Sequence, residues 1–385
     1  MMDGTCTARR TGWRPAVLAV TALVVLVGGC SEPGWPTFRG DPAQTGSAAS
    51  ALPDLLGLLW TYEAGSAVKS TAAIVDGAVH VGTMGGDLLS LDLATGELNW
   101  SYEAGASIEA APAVREGRVF VGDADGVFHA VDARTGGLVW QQRVEGEIVS
   151  SANFAGDRVV VGSNDYFLYC FRAADGHKVW AYETLNFVYC APCVADGGAV
   201  IAGCDGLLRV IDVTRGVQTA SYEIGGNLSA APAYRGGRFY LGTLDGRMLG
   251  IDAVRMQPIW QTEVPAGAAF VASAAVNDGA VVLADRDSAV YCLCPETGQQ
   301  RWVFRTRGGV DSSPVIVGDR VFFGCNDGNV YGVSMADGQE VWRFRAGGPV
   351  SASPAVGQGR LVIGAEDGAV YCIGANAESE ARPTG

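Results

Sequence analysis

From residue 55 onward the chain alternates apolar and polar positions in short runs, and Gly-containing turns break the runs at regular intervals. Residues 108–140 are representative. Ile108–Val114 reads as a strand, Glu116-Gly117 as a turn and Arg118–Gly122 as a second strand. Asp125-Gly126 turns again, Val127–Val131 is a third strand, Thr135-Gly136 turns, and Leu138–Trp140 starts a fourth. Asp-Gly between apolar runs is a strong hairpin signal, because such turns need positive φ. No stretch after residue 29 has the 3.6-residue period of a helix.

This grammar recurs. Tryptophans stand at 60, 100, 140, 180, 260, 302 and 342, nearly all one 40-residue step apart. Ala220 fills the missing step. It precedes Ser221-Tyr222-Glu223 just as Trp100 precedes Ser101-Tyr102-Glu103. Eight units of four short antiparallel strands predict an all-β fold, an eight-bladed propeller over residues 55–375. The last unit offers only three strands, Ser351–Val356, Arg360–Ala365 and Ala369–Ile373, before a polar tail over 376–385. Leu55–Glu63 is a fourth strand with no blade before it, so the N-terminal strand is predicted to complete the last blade and hide its edge.

The first 29 residues have a different character. Arg9, Arg10 and Arg14 precede an apolar run, Pro15–Val27, too short for a comfortable membrane span. Leu26-Val27-Gly28-Gly29-Cys30-Ser31 follows. Small residues before a cysteine resemble the lipobox of bacterial lipoproteins. That resemblance implies removal of residues 1–29, a diacylglycerol on Cys30, and a sorting signal at Ser31 that favours the outer membrane in Gram-negative cells. Residues 30–54, rich in Pro, Gly and Ser, are expected to be a flexible tether, although Trp35–Asp41 is a candidate to pack on a propeller face.

The net charge of −14 argues against nucleic acid and against electrostatic docking on anionic lipid. With 48% hydrophobic residues the chain can bury a large core, and its body is expected to be monomeric.

The pattern Ala-x-Asp-x-x-x-Gly-x-x-x-Trp is complete at Ala130, Asp132, Gly136 and Trp140. It persists in part at Ser90, Asp92, Gly96 and Trp100, at Cys170, Gly176 and Trp180, and at Gly332, Gly338 and Trp342. The fifth unit has Met256 where the glycine belongs. An indole buries much apolar area and fits between sheets where a small residue leaves room. Trp60, Trp100, Trp140, Trp180, Trp260, Trp302 and Trp342 are therefore read as blade-docking residues. These repeats resemble the PQQ-binding-like propeller superfamily. Two branches of it fit an exported chain. The lipoprotein branch, resembling the outer-membrane assembly factor BamB, implies a non-catalytic, lipid-anchored scaffold that binds envelope proteins during β-barrel assembly. The quinoprotein dehydrogenases imply PQQ with Ca²⁺ at the ring centre. Against them, no two cysteines are adjacent, no cytochrome attachment motif is present, and no calcium cage can be placed on the sequence.

Candidate site residues come from comparing the units. At the start of each first strand, where a propeller lines its channel, one position varies while its neighbours stay small. It reads Lys69, Glu109, Val149, Tyr189, Ser229, Val271, Asp311 and Ser351. A specific site would arise at this ring, and a solvated channel mouth is the plain alternative. Carboxylates clustered on one side would favour a quinone, and a ring of aromatics would favour a glycan- or peptide-binding module. The ring has only two carboxylates, well separated, and one aromatic.

The cysteines read mainly as packing. Cys170, Cys292 and Cys372 sit where other units have Ala130 or Ser90. Cys190 and Cys193 are spaced like a redox pair, but on a strand they face opposite ways. Cys190 and Cys204 are candidates for a cross-strand disulfide if the turn at Asp196-Gly197-Gly198 uses three residues. Cys294 and Cys325 have no evident partner. Asp123-Ala124-Asp125-Gly126 and Asn326-Asp327-Gly328 read as hairpin turns, lacking the downstream glutamate of a calcium loop. His80, His129 and His177 have no sequence neighbour at ligand or triad spacing. No residue is assigned a catalytic role, and no metal site is expected.

Overall fold

A computed structural model describes Met1 and residues 33–264 and 268–375. Cys30, the signal-like segment and the polar tail over 376–385 lie outside the described residues. The strands form eight separate four-stranded antiparallel sheets, and no helix occurs among the described residues.

Blade 1 comprises Ala73–Val75, Ala78–Gly82, Asp87–Asp92 and Leu98–Glu103, from the channel outward. Seven blades follow this order. Blade 8 consists of Ala355–Gly357, Arg360–Gly364 and Ala369–Ala375, completed on the outside by Leu56–Glu63. The ring therefore closes through the N-terminal strand, as its orphan position in the sequence predicts. Closure pairs an edge that would otherwise be open to other chains.

The innermost strands are shorter than the apolar runs suggest. In blade 2 only Ala113–Arg115 pairs, against Arg118–Phe120. The preceding residues leave the ladder to bridge blades. Ile108 N–H donates to Thr83 O of blade 1, and Ser107 O accepts from Ala124 N–H of its own blade. Apolarity here reflects burial between sheets, not strand pairing.

Each tryptophan locks its blade to the next. The indole N–H of Trp60, Trp100, Trp140, Trp180, Trp260 and Trp302 donates to a carbonyl of the following blade, at Leu93, Ala133, Ala173, Val213, Pro295 and Met335. Trp342 bonds Leu56 O at the closing seam. The ring lies on the next blade's motif glycine. Gly136 has φ +72°, and a Cβ there would sit 2.8 Å from the Trp100 ring. The small residue on the third strand faces its own blade's indole, as Ala130 faces Trp140 and Cys170, Cys292 and Cys372 face Trp180, Trp302 and Trp60. Those three thiols are buried and free, consistent with a packing role.

Blade 4 lacks its indole at Ala220, and blade 5 lacks the glycine that would receive it. The two departures belong to one interface. Met256 is buried in the same apolar cluster as Ala220, and Val210 opposes Ala220 on the third strand. Thioether and isopropyl groups replace the missing indole volume.

Residues 33–50 overturn the expectation of a flexible tether there. Two sets of turns, those after the first and third strands, lie at one end of every blade, and this segment crosses the channel at that end. Pro33 O accepts from Gln358 N–H of blade 8, and Trp35 exchanges hydrogen bonds with Ile74 of blade 1. Pro36 O accepts from Val114, Pro42 O from Val194, Ala43 O from Tyr234 and Thr45 O from Val276. Gly46 and Ala48 bond Ile316 of blade 7, and Ser50 Oγ accepts from Gly359 back at blade 8. In blade 3 the Asn153 side chain caps Phe154 N–H and donates to Pro42 O. The segment thus completes a circuit of all eight blades. The physical reason is that each innermost strand is an edge whose N–H groups need acceptors. The end it crosses is called the N-terminal face below, and the opposite end the ring face.

Candidate functional site

The eight ring residues converge. All of them line one central cavity of about 290 Å³. Below them the wall consists of Thr71, Ala111, Ser151, Ala191, Ala231, Ser273, Ser313 and Ser353, and Phe38 of the N-terminal segment also lines it. The channel is therefore a cup with its mouth on the ring face. Local sequence explains the small wall residues. Ser151 Oγ accepts from Ala111 N–H of the preceding blade at 2.8 Å, Ser273 Oγ from Ala231 at 3.0 Å, and Ser313 and Ser353 continue the pattern at 2.9 Å. These hydroxyls tie blade to blade.

Beneath the cup, Arg39 is 1% exposed. Its guanidinium donates to Ala274 O at 3.0 Å and to Pro314 O, so it pegs the segment between blades 6 and 7. Burial lowers its pKa to about 9, against the opposing pull of Asp41. Gly46, at φ +59°, lies so close that a Cβ there would overlap the guanidinium.

The ring is chemically uneven. The Asp311 carboxylate is held by Arg286 Nε at 2.6 Å and Asn326 Nδ2 at 3.0 Å. Ser351 donates to Glu366 at 2.7 Å. Among the described residues no three His, Cys, Asp or Glu side chains converge in a metal-binding group. The donors at the cup do not fit a calcium cage, since its two carboxylates stand on separated blades and one is already paired.

Tyr189 belongs to a different arrangement. It is 39% exposed and packs on Phe187 with ring centroids 5.3 Å apart, and Phe187 packs on Tyr166 at 5.2 Å. Leu185, on the same connection, is 78% exposed. Burial, then the nearness of Cys204 and Glu147, raises the Tyr189 phenol pKa. Beside it a groove is lined by Asp125, Glu145, Glu147, Phe187 and Tyr189. The sequence hinted at this cluster only through Tyr189. Tyr166 and Leu185 lie in connections that carry no periodic signal.

His129 has partners that sequence spacing does not reveal. Its Nε2 lies 2.9 Å from Asp123 and its Nδ1 3.0 Å from the Tyr102 hydroxyl. The grouping looks like a relay, but other blades fill the His129 position in a similar way, with the carboxylate at the Asp123 position in blade 6 and two residues further on in blades 3 and 4. Tyr169 bonds Asp165, Tyr291 bonds Asp285, and Arg209 pairs with Asp205. It is the blade 2 version of a brace from the second turn to the third strand. His80 is buried against Trp100, and burial lowers its pKa to about 4.

The candidate disulfide does not form. Ala195 pairs with Gly198, so the turn uses two residues and the thiols do not face each other. The Cys190 thiol accepts from Ala202 N–H, and Cys204 donates to Leu228 O. Burial pushes Cys190 up to about 12 and holds Cys193 well above the ordinary thiol range, so neither is a poised redox thiol.

An eight-bladed propeller whose blades dock by tryptophan on glycine is a PQQ-like repeat propeller. Within that class, the model of the family described as outer membrane protein assembly factor BamB matches residues 57–153, 125–270, 219–345 and 326–381. These matches span most of the chain, which belongs to that family. No curated protein matches it. Among solved structures, BamB from Moraxella catarrhalis is similar at 19% identity and TM-score 0.75, over 83% of this chain and 100% of that one. Quinohemoprotein alcohol dehydrogenase from Comamonas testosteroni is similar at 16% identity and TM-score 0.76, over 92% of this chain and 82% of that one. The computationally designed Ika8 protein is similar at 20% identity and TM-score 0.72, over 82% and 98%. Such identities establish a shared architecture, which hosts both scaffolds and oxidoreductases.

Proposed function

We propose that this protein is a non-catalytic scaffold of the cell envelope, anchored through lipid on Cys30, which holds a protein partner on its ring face. The process proposed is outer-membrane β-barrel assembly. The observation that carries the reading is the exposed cluster of Leu185, Phe187, Tyr189 and Tyr166 beside a carboxylate-lined groove. Aromatic side chains fixed on a rigid frame are the usual anchors of protein interfaces, and connections between strands are free to vary without harming the fold. Family membership supports the same reading.

The quinoprotein alternative finds less support. Its carboxylates would have to come from Glu109 and Asp311, and Asp311 is engaged by Arg286 and Asn326. A glycan module would need more aromatic surface in the cup than Tyr189 and Phe38 supply.

The test compares the full chain with a Leu185→Glu, Tyr189→Ala variant in co-purification from detergent-solubilised envelopes. The reading expects a partner retained by the parent and lost by the variant at unchanged melting temperature. Saturable binding of PQQ with Ca²⁺, coupled to dye-linked oxidation of an alcohol, would overturn it.

A further inference from the structure

We infer that the N-terminal face is a membrane-facing surface, lying against the lipid headgroups while the ring face points away from the bilayer. This rests on the lipid anchor at Cys30 proposed above. Three observations support it independently of one another.

The first is reach. Pro33 is already bonded to blade 8, and Trp35 to blade 1, at the N-terminal face. Only two residues, Ser31 and Glu32, separate Cys30 from Pro33, and the three Cα-to-Cα steps span about 11 Å at full extension. Covalent reach alone therefore keeps a lipid on Cys30 within about 11 Å of Pro33.

The second is an apolar collar. The outermost strand of each blade starts at the N-terminal face. Leu58, Leu98, Leu138, Val217, Ile259 and Val341 stand exposed at or near those starts, and the adjacent turn of blade 5 exposes Val254 at 91%. They come from blade 8, then blades 1, 2, 4, 5 and 7, so the collar runs round the perimeter. Exposed apolar side chains recurring near one end of the blades call for a partner surface. Such residues on six of the eight blades match a bilayer interface better than a single protein, which would meet one sector only.

The third is charge. The same outermost strands finish at the ring face, five of them in glutamate, at Glu63, Glu103, Glu183, Glu223 and Glu263, and three in arginine, at Arg143, Arg305 and Arg345. Asp125, Glu145 and Glu147 add to that face. At the N-terminal face, Arg115, Arg134, Arg215, Arg235 and Arg255 offset the carboxylates of the turns. An anionic headgroup layer repels the ring face and tolerates the other. The overall acidity that argues against lipid docking is therefore unevenly placed, and the arginines of the N-terminal face balance more of it there.

The test uses the full chain reconstituted in vesicles of phosphatidylethanolamine and phosphatidylglycerol. A photo-crosslinking amino acid replaces Leu138 in one sample and Tyr189 in another. Mass spectrometry reads lipid adducts at each position and the mass of the Cys30 peptide. The expected result is lipid adducts at position 138, none above background at 189, and loss of the 138 adducts when Leu98 and Val341 are both changed to Glu. A diacylated Cys30 with equal adducts at both positions, or adducts at 189 alone, overturns the orientation and leaves the anchor intact. An unmodified Cys30 overturns both.

Discussion

The two ends of this propeller are built on the same strands and use them differently. At the N-terminal face, one segment visits every blade and hydrogen bonds dominate. At the ring face the connections are longer, acidic and variable, and the channel positions change from blade to blade. The difference teaches where a repeat fold keeps its stability and where it is free to specialise. Innermost edge strands must be satisfied somewhere, and meeting that need at one end leaves the other end open as a cup.

The comparison can be broken most directly by removing the segment. A soluble chain lacking residues 33–50 should lose on the order of 5 kcal/mol of unfolding free energy, from several hydrogen bonds worth about 1 kcal/mol each net, plus buried Trp35. Urea denaturation against the chain beginning at residue 33 measures this. A change within error would mean that the segment decorates the face without supporting it.

A second test is acid. His80 is buried in blade 1 with its pKa lowered to about 4 by desolvation, against 6.5 in the unfolded chain. The unfolded state therefore binds the proton first. The contribution is fully present above pH 6.5 and is lost as pH falls toward 4, by about 3 kcal/mol at the lower end. His80→Phe keeps an aromatic ring on Trp100, as Phe120 does for Trp140 in blade 2. It should flatten the stability-against-pH curve between those limits, and a parallel curve would refute the assignment.

The blade 4–5 seam gives a smaller effect with a sharper signature. Met256→Gly alone should cost about 2 kcal/mol through the cavity it leaves, and Ala220→Trp alone should cost a similar amount, about 1–3 kcal/mol, through overpacking. Together they rebuild the motif, and the pair should recover most of the loss. A double-mutant cycle with no coupling would show that the two departures arose separately.

These cases also mark what the sequence makes legible. Repeat length, strand number, closure and the blade-docking indoles follow from periodicity, because every unit repeats the same packing problem. The ring of eight positions follows too, since a variable site stands out against a constant frame. The circuit of residues 33–50 does not follow. It is a single copy, rich in turn residues, and its order comes from acceptors that meet edge strands far away in sequence. Arg39 looks like a surface charge until Ala274 and Pro314 supply their carbonyls. The pairing of Met256 with Ala220 is hidden because each tryptophan docks on the next unit's glycine, not on its own. His129 shows the opposite limit: its partners Asp123 and Tyr102 are visible residues in two blades whose strand register has to be known first.

The ring face should answer in the opposite way to all of these variants. Leu185→Ser and Tyr189→Ala remove side chains that are already largely or partly in water, and neither carries a backbone tie of the cup wall. Each should shift stability by no more than about 0.5 kcal/mol. Retention of the partner should fall in both, further for Tyr189, because its loss also exposes the edge of Phe187. The measurement is paired: denaturation midpoint and partner co-purification on the same preparations. If stability falls with binding, the aromatic cluster is a structural part of blades 3 and 4, and the division of labour between the two faces fails at the place where the partner is proposed to sit.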